Sequence, residues 1–203
     1  MRDETGTYQP YSYFQLMEVS LRELLVEKGI VTEAQVEATV EDMRNRTPER
    51  GARVVAHAWT DPAFKEKLLA DGTRACEELG LDVPALRLVV VENTPAVHNM
   101  IVCTLCSCYP RMLLGIPPDW YKSRNYRSRA VREPRAVLSE FGLQLSMKTK
   151  IRVHDSTADM RYLVLPMRPA GTGDWGEERL RLITMNSPDH ILVVTVAEQA
   201  LIM

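Results

Sequence analysis

Apolar residues recur at helical spacing through the first third of the chain. Met17, Leu21, Leu24 and Leu25 form one stripe, with Gly29 as a stop. Thr32 to Gln35 has the form of a capping box, in which threonine accepts and glutamine reaches back. It opens a helix whose inner face is Val36, Val40 and Met43. A third helical stretch carries Val54, Val55 and Ala58. Asp61 followed by Pro62 reads as an N-cap and a first-turn proline. The helix it starts buries Phe64, Leu68, Ala75 and Leu79, with Gly80 near its end.

The pattern changes at Leu86. Leu86 to Val91 is a continuous apolar run rich in branched residues, as a buried strand requires. Asn93, Thr94 and Pro95 turn the chain, and His98 to Val102 is a second strand. Pro110 and the Gly115 to Pro118 segment predict irregular chain. Pro134 starts a helix through Phe141, with Gly142 as its stop. Lys150 to His154 and Tyr162 to Pro166 read as strands, and Ile191 to Val196 as a last one. The fold class expected is α+β. A helical N-terminal arm, residues 1–82, precedes a mixed α/β metal-binding domain, residues 83–203, with the boundary near residues 80–86. No internal repeat is visible.

Composition adds exclusions. A net charge of -2 over 203 residues gives no global reason to expect nucleic acid or an anionic membrane as partner. No apolar run approaches the ~20 residues of a membrane span. Met1 to Gln15 is polar and lacks a signal peptide's apolar stretch, so a cytoplasmic location is expected. In a reducing compartment, clustered cysteines read as metal-binding or catalytic rather than as disulfides.

Three of the four cysteines lie in Cys103-Thr104-Leu105-Cys106-Ser107-Cys108. The spacing suits one metal ion. The Cys106 sulfur, the amide nitrogens of Ser107 and Cys108, and the Cys108 sulfur can close consecutive chelate rings around one centre. That makes a planar site of two nitrogens and two sulfurs, to which Cys103 adds an axial sulfur, leaving a sixth position open. Backbone amides bind this way only after losing their protons, which a strongly Lewis-acidic ion compensates. Ligand type and geometry identify the metal, and this set points away from tetrahedral zinc. A structural zinc site would need a fourth ligand from Cys76 or His98. Cys76 sits in a helical pattern as a small buried hydrophobe. Strand alternation sets His98 opposite Cys103, as a hydrogen-bonded structural histidine. His57, His154 and His190 receive no role. Arg124, Arg127, Arg129, Arg132 and Arg135 form a basic segment interleaved with Tyr121 and Tyr126. It reads as a subunit contact, a solvated face or, least favoured, a nucleic-acid patch.

Val102 to Cys108, Tyr109-Pro110, Pro118 to Lys122, Tyr126 to Arg129, Val131 to Arg135, Glu140 to Gly142, Arg161 to Pro166 and Arg168 to Thr172 together resemble the α subunit of nitrile hydratase. Upstream, Val91 to Pro95 and His98-Asn99 are similar too. Thr104 resembles the cobalt branch; the iron branch usually has serine there. The resemblance implies a non-corrin cobalt(III) ion held by Cys103, Cys106 and Cys108 and by the amides of Ser107 and Cys108. It implies Cys106 as sulfinate and Cys108 as sulfenate, successive steps of thiolate oxidation. Trp120, read from the residues as a core or interface aromatic, lines the substrate pocket in the family the chain resembles, and Glu92, Asp155 and Arg161, polar residues near apolar strands, read as hydrogen-bonded support behind the ligands or as ordinary ion pairs. The implied reaction is nitrile plus water to amide, with the metal as Lewis acid or the Cys108 sulfenate oxygen as nucleophile. A β-type partner, as one chain or two, would complete the site with tyrosine and arginines, and an activator or metallochaperone would serve maturation. Tyr109 to Arg111, Phe141 to Leu145 and Gly173 to Trp175 look closer to the cobalt-binding subunit of thiocyanate hydrolase. A third relative is the nitrile hydratase of toyocamycin biosynthesis, which acts on a bulky nucleoside nitrile. From Thr184 onward the chain departs from these patterns. The alternative of another class is a non-enzymatic structural metal module.

Overall fold

The computed structural model describes residues 11–83 and 87–185. The chain forms two compact units, the first ending at Asn45 and the second beginning at Arg46.

The first unit holds helix α1, Tyr13–Glu27, and helix α2, Glu33–Asn45. Both open on capping boxes. Ser12 Oγ accepts from the Gln15 amide at 3.3 Å, while Gln15 Oε1 accepts from the Ser12 amide at 2.8 Å. Thr32 and Gln35 make the same exchange at 3.2 and 2.8 Å, as the sequence predicts. Gly29 takes φ +67° and ends α1, a conformation with little cost for glycine alone. The apolar stripes, however, are not an inner face. No residue of either helix is buried, and Met17, Leu21, Val40 and Met43 are all exposed.

The second unit starts with helices α3, Pro48–Thr60, α4, Pro62–Ala70, and α5, Gly72–Glu78. Asp61 caps α4 by accepting from the amides of Ala63 and Phe64. The single helix expected from Pro62 to Gly80 is two, because Asp71 leaves helical geometry and caps α5 through the Arg74 amide at 3.1 Å. The break lets α5 approach the next strand closely.

Strand β1, Arg87–Glu92, and strand β2, Val97–Val102, follow. Three short helices come next, α6, Arg111–Leu114, α7, Asp119–Lys122, and α8, Arg124–Arg132, the first of them within chain expected to be irregular; α9, Pro134–Glu140, follows as the sequence predicts. Pro110 and Pro118, expected to keep the chain irregular, instead stand at the N-caps of α6 and α7. Pro118 precedes α7, and Pro134 is the first residue of α9. Strand β3, Lys150–Asp155, strand β4, Met160–Leu165, and helix α10, Glu177–Met185, complete the described chain. The expected strand Ile191 to Val196 lies outside the described residues.

The strands make two parallel pairs. β1 runs beside β4 from Arg87↔Met160 to Glu92↔Leu165. β2 runs beside β3 from Val97↔Lys150 to Val102↔Asp155. Parallel pairing needs long crossovers and burial, and the core supplies the burial. Val54, Val55, Phe64, Leu68, Ala75 and Cys76 share one apolar cluster with Leu88, Val90, Met100, Val102 and Leu163. Helices α3 to α5 therefore belong with the strands. The change of unit falls at Asn45, not near residues 80–86. Helix α10, which the sequence pattern did not reveal, is tied to α3 by His57 Nδ1 and Glu177 at 2.8 Å and by an Arg181–Glu49 ion pair. No helix among the described residues is long and apolar enough to cross a membrane.

Candidate metal centre

Strand β2 carries the chain out of the core. Val102 and Cys103 are fully buried, and Thr104, Leu105 and Cys106 emerge at the surface. The chain then folds back on itself. Cys103 Sγ stands 3.4 Å from Cys106 Sγ, and Cys106 Sγ 3.2 Å from Cys108 Sγ. A disulfide would be ~2.05 Å, and all four cysteines are free. The three clustered sulfurs lie within 4.8 Å of one another, close enough to bind one ion. The Cys106 amide donates to Cys103 Sγ at 3.2 Å, which tightens the turn. Among the described residues no histidine, aspartate or glutamate joins this group. Cys76 is buried in α5, where burial pushes its thiol up to about 12. His98 is buried beside Asn93. Among the described residues no fourth side chain completes a tetrahedral zinc site, whereas thiolates with adjacent backbone amides fit an ion of higher coordination.

Distant segments hold the loop. Register places Asp155 opposite Val102. From there its carboxylate accepts from the Thr104 amide at 2.9 Å and the Thr104 hydroxyl at 2.5 Å. The Ser156 amide donates to the Val102 carbonyl at 2.7 Å. Tyr121 Oη, from α7, donates to the Cys108 carbonyl at 2.8 Å. Tyr126 Oη, from α8, donates to the Ile101 carbonyl at 2.6 Å. Its neighbour Arg127 donates through Nη1 to the Cys106 carbonyl at 3.0 Å.

The thiols are electrostatically unequal. Hydrogen bonds with Cys108 and Cys103 draw the Cys106 thiol down to about 7. Burial, then the bond with Cys106, pushes Cys108 up to about 12, against the opposing charge of Arg161. A cleft of about 370 Å³ opens at this point. Cys106, Ser107, Cys108, Tyr109 and Met112 line it together with three arginines, Arg46, Arg111 and Arg161.

The residues singled out by sequence separate clearly. Cys103, Cys106, Ser107 and Cys108 form the loop, Asp155 braces it, and Arg161 lines the cleft. Arg161 also donates to the carbonyls of Thr157 and Met160. Glu92 is elsewhere: it pairs with Lys65 of α4, and its carbonyl accepts from Asn99 Nδ2 at 2.7 Å. Trp120 does not line this cleft. Its ring packs at 4.9 Å from both Tyr126 and Phe141. The basic segment is divided too. Arg129 pairs with Glu133 and Glu140, and Arg135 donates to the carbonyls of Leu145, Ser146 and Thr149. Only Arg127 of this segment hydrogen-bonds the cysteine loop among the described contacts. Tyr121 was missed as a brace, although aromatic spacing after the cysteines was visible. Arg46 was missed because it lies far away in sequence.

Comparison with known proteins agrees with this architecture. Residues 12–193 match the family model described as nitrile hydratase, alpha chain. The chain is 50% identical over 172 residues to the cobalt-containing nitrile hydratase subunit alpha of Pseudonocardia thermophila, covering 83% of this chain and 84% of that one. It is 41% identical over 181 residues to the thiocyanate hydrolase subunit gamma of Thiobacillus thioparus, covering 83% and 74%. A solved structure of a thiocyanate hydrolase mutant superimposes with a TM-score of 0.87 at 37% identity, covering 96% of this chain and 93% of that one. With its cysteine loop, parallel strand pairs and near-complete coverage, this chain belongs to the nitrile hydratase α-chain family.

Proposed function

We propose that this chain is the metal-bearing subunit of a cobalt nitrile hydratase, which adds water to a nitrile to give the amide. The observation that carries this reading is the convergence of three free thiols on one point, beside a cleft. The proposed ligands are the sulfurs of Cys103, Cys106 and Cys108 and the amide nitrogens of Ser107 and Cys108. Cobalt(III), when bound, supplies Lewis acidity toward the nitrile. In the mature protein Cys106 is the sulfinate and Cys108 the sulfenate.

The chain's own residues shape the site. Asp155 and Tyr121 fix the two ends of the loop, and the cleft arginines face the negative charge of oxidised sulfur. Proton transfer is the missing part. Tyr109 lines the cleft, but burial pushes its phenol well above the usual range, and the other polar lining groups are arginines, serine and the thiols themselves. A general acid or base therefore comes from a β-type partner, as one polypeptide or two. An activator protein loads the metal. Unpaired thiols suit a cytoplasmic location, and neither nucleic acid nor membrane is needed.

One feature favours a second reading, thiocyanate hydrolysis. Three arginines around the cleft suit an anionic substrate better than a neutral nitrile. A nucleoside nitrile has no support among the relatives and is not retained. The test is reconstitution with cobalt, with and without partner subunits, following amide from a nitrile and carbonyl sulfide from thiocyanate. Amide formation only with partners is expected. Full activity of the chain alone contradicts the shared site, and thiocyanate turnover without nitrile hydration replaces the first reading by the second.

A further inference from the structure

The Cys106 carbonyl belongs to the same peptide group as the Ser107 nitrogen. When that nitrogen binds a metal ion, an N–metal bond forms, the N–H bond breaks and the proton passes to solvent water. The remaining negative charge is shared with the carbonyl oxygen by the same resonance that makes the peptide planar. Whatever faces that oxygen thus faces the charge. In this structure it is a guanidinium: Arg127 Nη1 lies 3.0 Å from the Cys106 oxygen and 3.5 Å from the Thr104 oxygen.

The placement is built rather than incidental. Helix α8 is capped by Ser123, whose hydroxyl accepts from the Tyr126 amide at 3.0 Å. Tyr126 anchors it from the buried side through the Ile101 carbonyl, and Ala130 is buried one turn further on. Arg127, next to that anchor, is only partly exposed, and its Nε is buried with no hydrogen-bond partner. One nitrogen therefore reaches both carbonyls that flank Leu105.

We propose that Arg127 is a positioning residue of the metal centre, which fixes the Cys106–Ser107 peptide and offsets the charge its oxygen gains when the Ser107 nitrogen becomes a ligand. The inference rests on the ligand set proposed above. It assigns Arg127 to amide ligation rather than to nucleic acid or to general surface charge. A guanidinium is always charged and presents its donors in a fixed fork. A charge-assisted bond of this kind is stronger than a neutral one, and its loss corresponds to about tenfold to hundredfold in affinity.

The test is nickel(II) binding by the full chain under anaerobic conditions at fixed pH. Visible absorption separates planar amide–thiolate ligation from thiolate-only ligation, and a competing chelator gives the affinity. Arg127→Met is expected to weaken binding about tenfold or more and to move the spectrum toward thiolate-only ligation. Arg127→Lys, which keeps the charge, recovers part of the loss. Arg127→Gln, which keeps a donor without charge, does not. Arg124→Met, on the same helix, leaves affinity and spectrum unchanged. Circular dichroism establishes folding, and if Arg127→Met does not fold, the lysine and glutamine variants decide. An unaltered spectrum and affinity in Arg127→Met, or glutamine equal to arginine, overturns the charge role while leaving the ligand set intact. Thiolate-only ligation in the unmodified chain overturns the ligand set and this inference together.

Discussion

Asp155 grips Thr104 with both carboxylate oxygens, one on the amide at 2.9 Å and one on the hydroxyl at 2.5 Å. It holds the exposed front of the cysteine loop together with Arg127, which donates to the Thr104 and Cys106 carbonyls. Asp155→Ala should loosen the loop without unfolding the sheet, costing about 1–2 kcal/mol and lowering cobalt occupancy. Asp155→Asn keeps one acceptor for the amide and should be milder. Thermal melts with elemental analysis check both. Equal cobalt content in Asp155→Ala and the unmodified chain would contradict the bracing role.

The cysteines should divide by position. Cys103→Ala, Cys106→Ala and Cys108→Ala are each expected to lose bound cobalt and turnover, since the described residues offer no spare ligand. Cys76→Ala removes a buried sulfur from the core. It should cost about 1 kcal/mol and keep its metal. Cobalt analysis of the four variants, purified from cells supplied with cobalt, decides the matter.

Stability should fall in weak acid through His98. Burial lowers its pKa from 6.5 to about 4, so the folded state holds the neutral ring while the unfolded chain takes up a proton. For this lowered value, the contribution is complete above about 6.5, falls as pH drops from there toward about 4, and is gone below. Its upper size is about 3 kcal/mol. Urea melts between pH 7 and pH 4 should show a shallower pH slope for His98→Gln than for the unmodified chain. Equal slopes would exclude His98 as the cause.

Gly72 should resist substitution. A Cβ there would stand 2.7 Å from the Leu88 oxygen and 2.8 Å from Val90 Cγ2, so α5 would have to leave β1. The Leu88 amide would also lose the Thr73 hydroxyl it donates to at 2.8 Å. Gly72→Ala is expected to destabilise by about 1–3 kcal/mol. Gly173→Ala, with open space around it, should be nearly neutral. A pair of denaturation curves distinguishes them.

What the sequence revealed depended on how local each signal is. The Thr32–Gln35 box, the Asp61 cap and the branched run into β1 are encoded within a few residues, and they formed as expected. The cysteine loop is equally local, and so was its metal-binding character. The failures are of other kinds. Asp71 splits a helix because Gly72 must approach Leu88, a contact between elements that periodicity does not reveal. The face of Val36, Val40 and Met43 was expected to point inward, but amphipathicity shows that a face is apolar, not what covers it. Trp120 and Glu92 take the plainer of the two roles open to them in the sequence, an aromatic packed on Tyr126 and Phe141 and an ion pair with Lys65. Arg46 and Arg127 reach the cysteines only because the fold brings them there.

The distance between the loop and its braces sets an order of events. Thr104 and Asp155 are 51 residues apart in sequence, and strand β3 must dock beside β2 before they meet. During synthesis the three thiols leave the ribosome well before the carboxylate that shapes their loop. Until then the Thr104 amide and hydroxyl lack the carboxylate that holds them in the folded chain. The final shape of the cysteine loop is therefore acquired with the pairing of β2 and β3 and not with the loop's own synthesis.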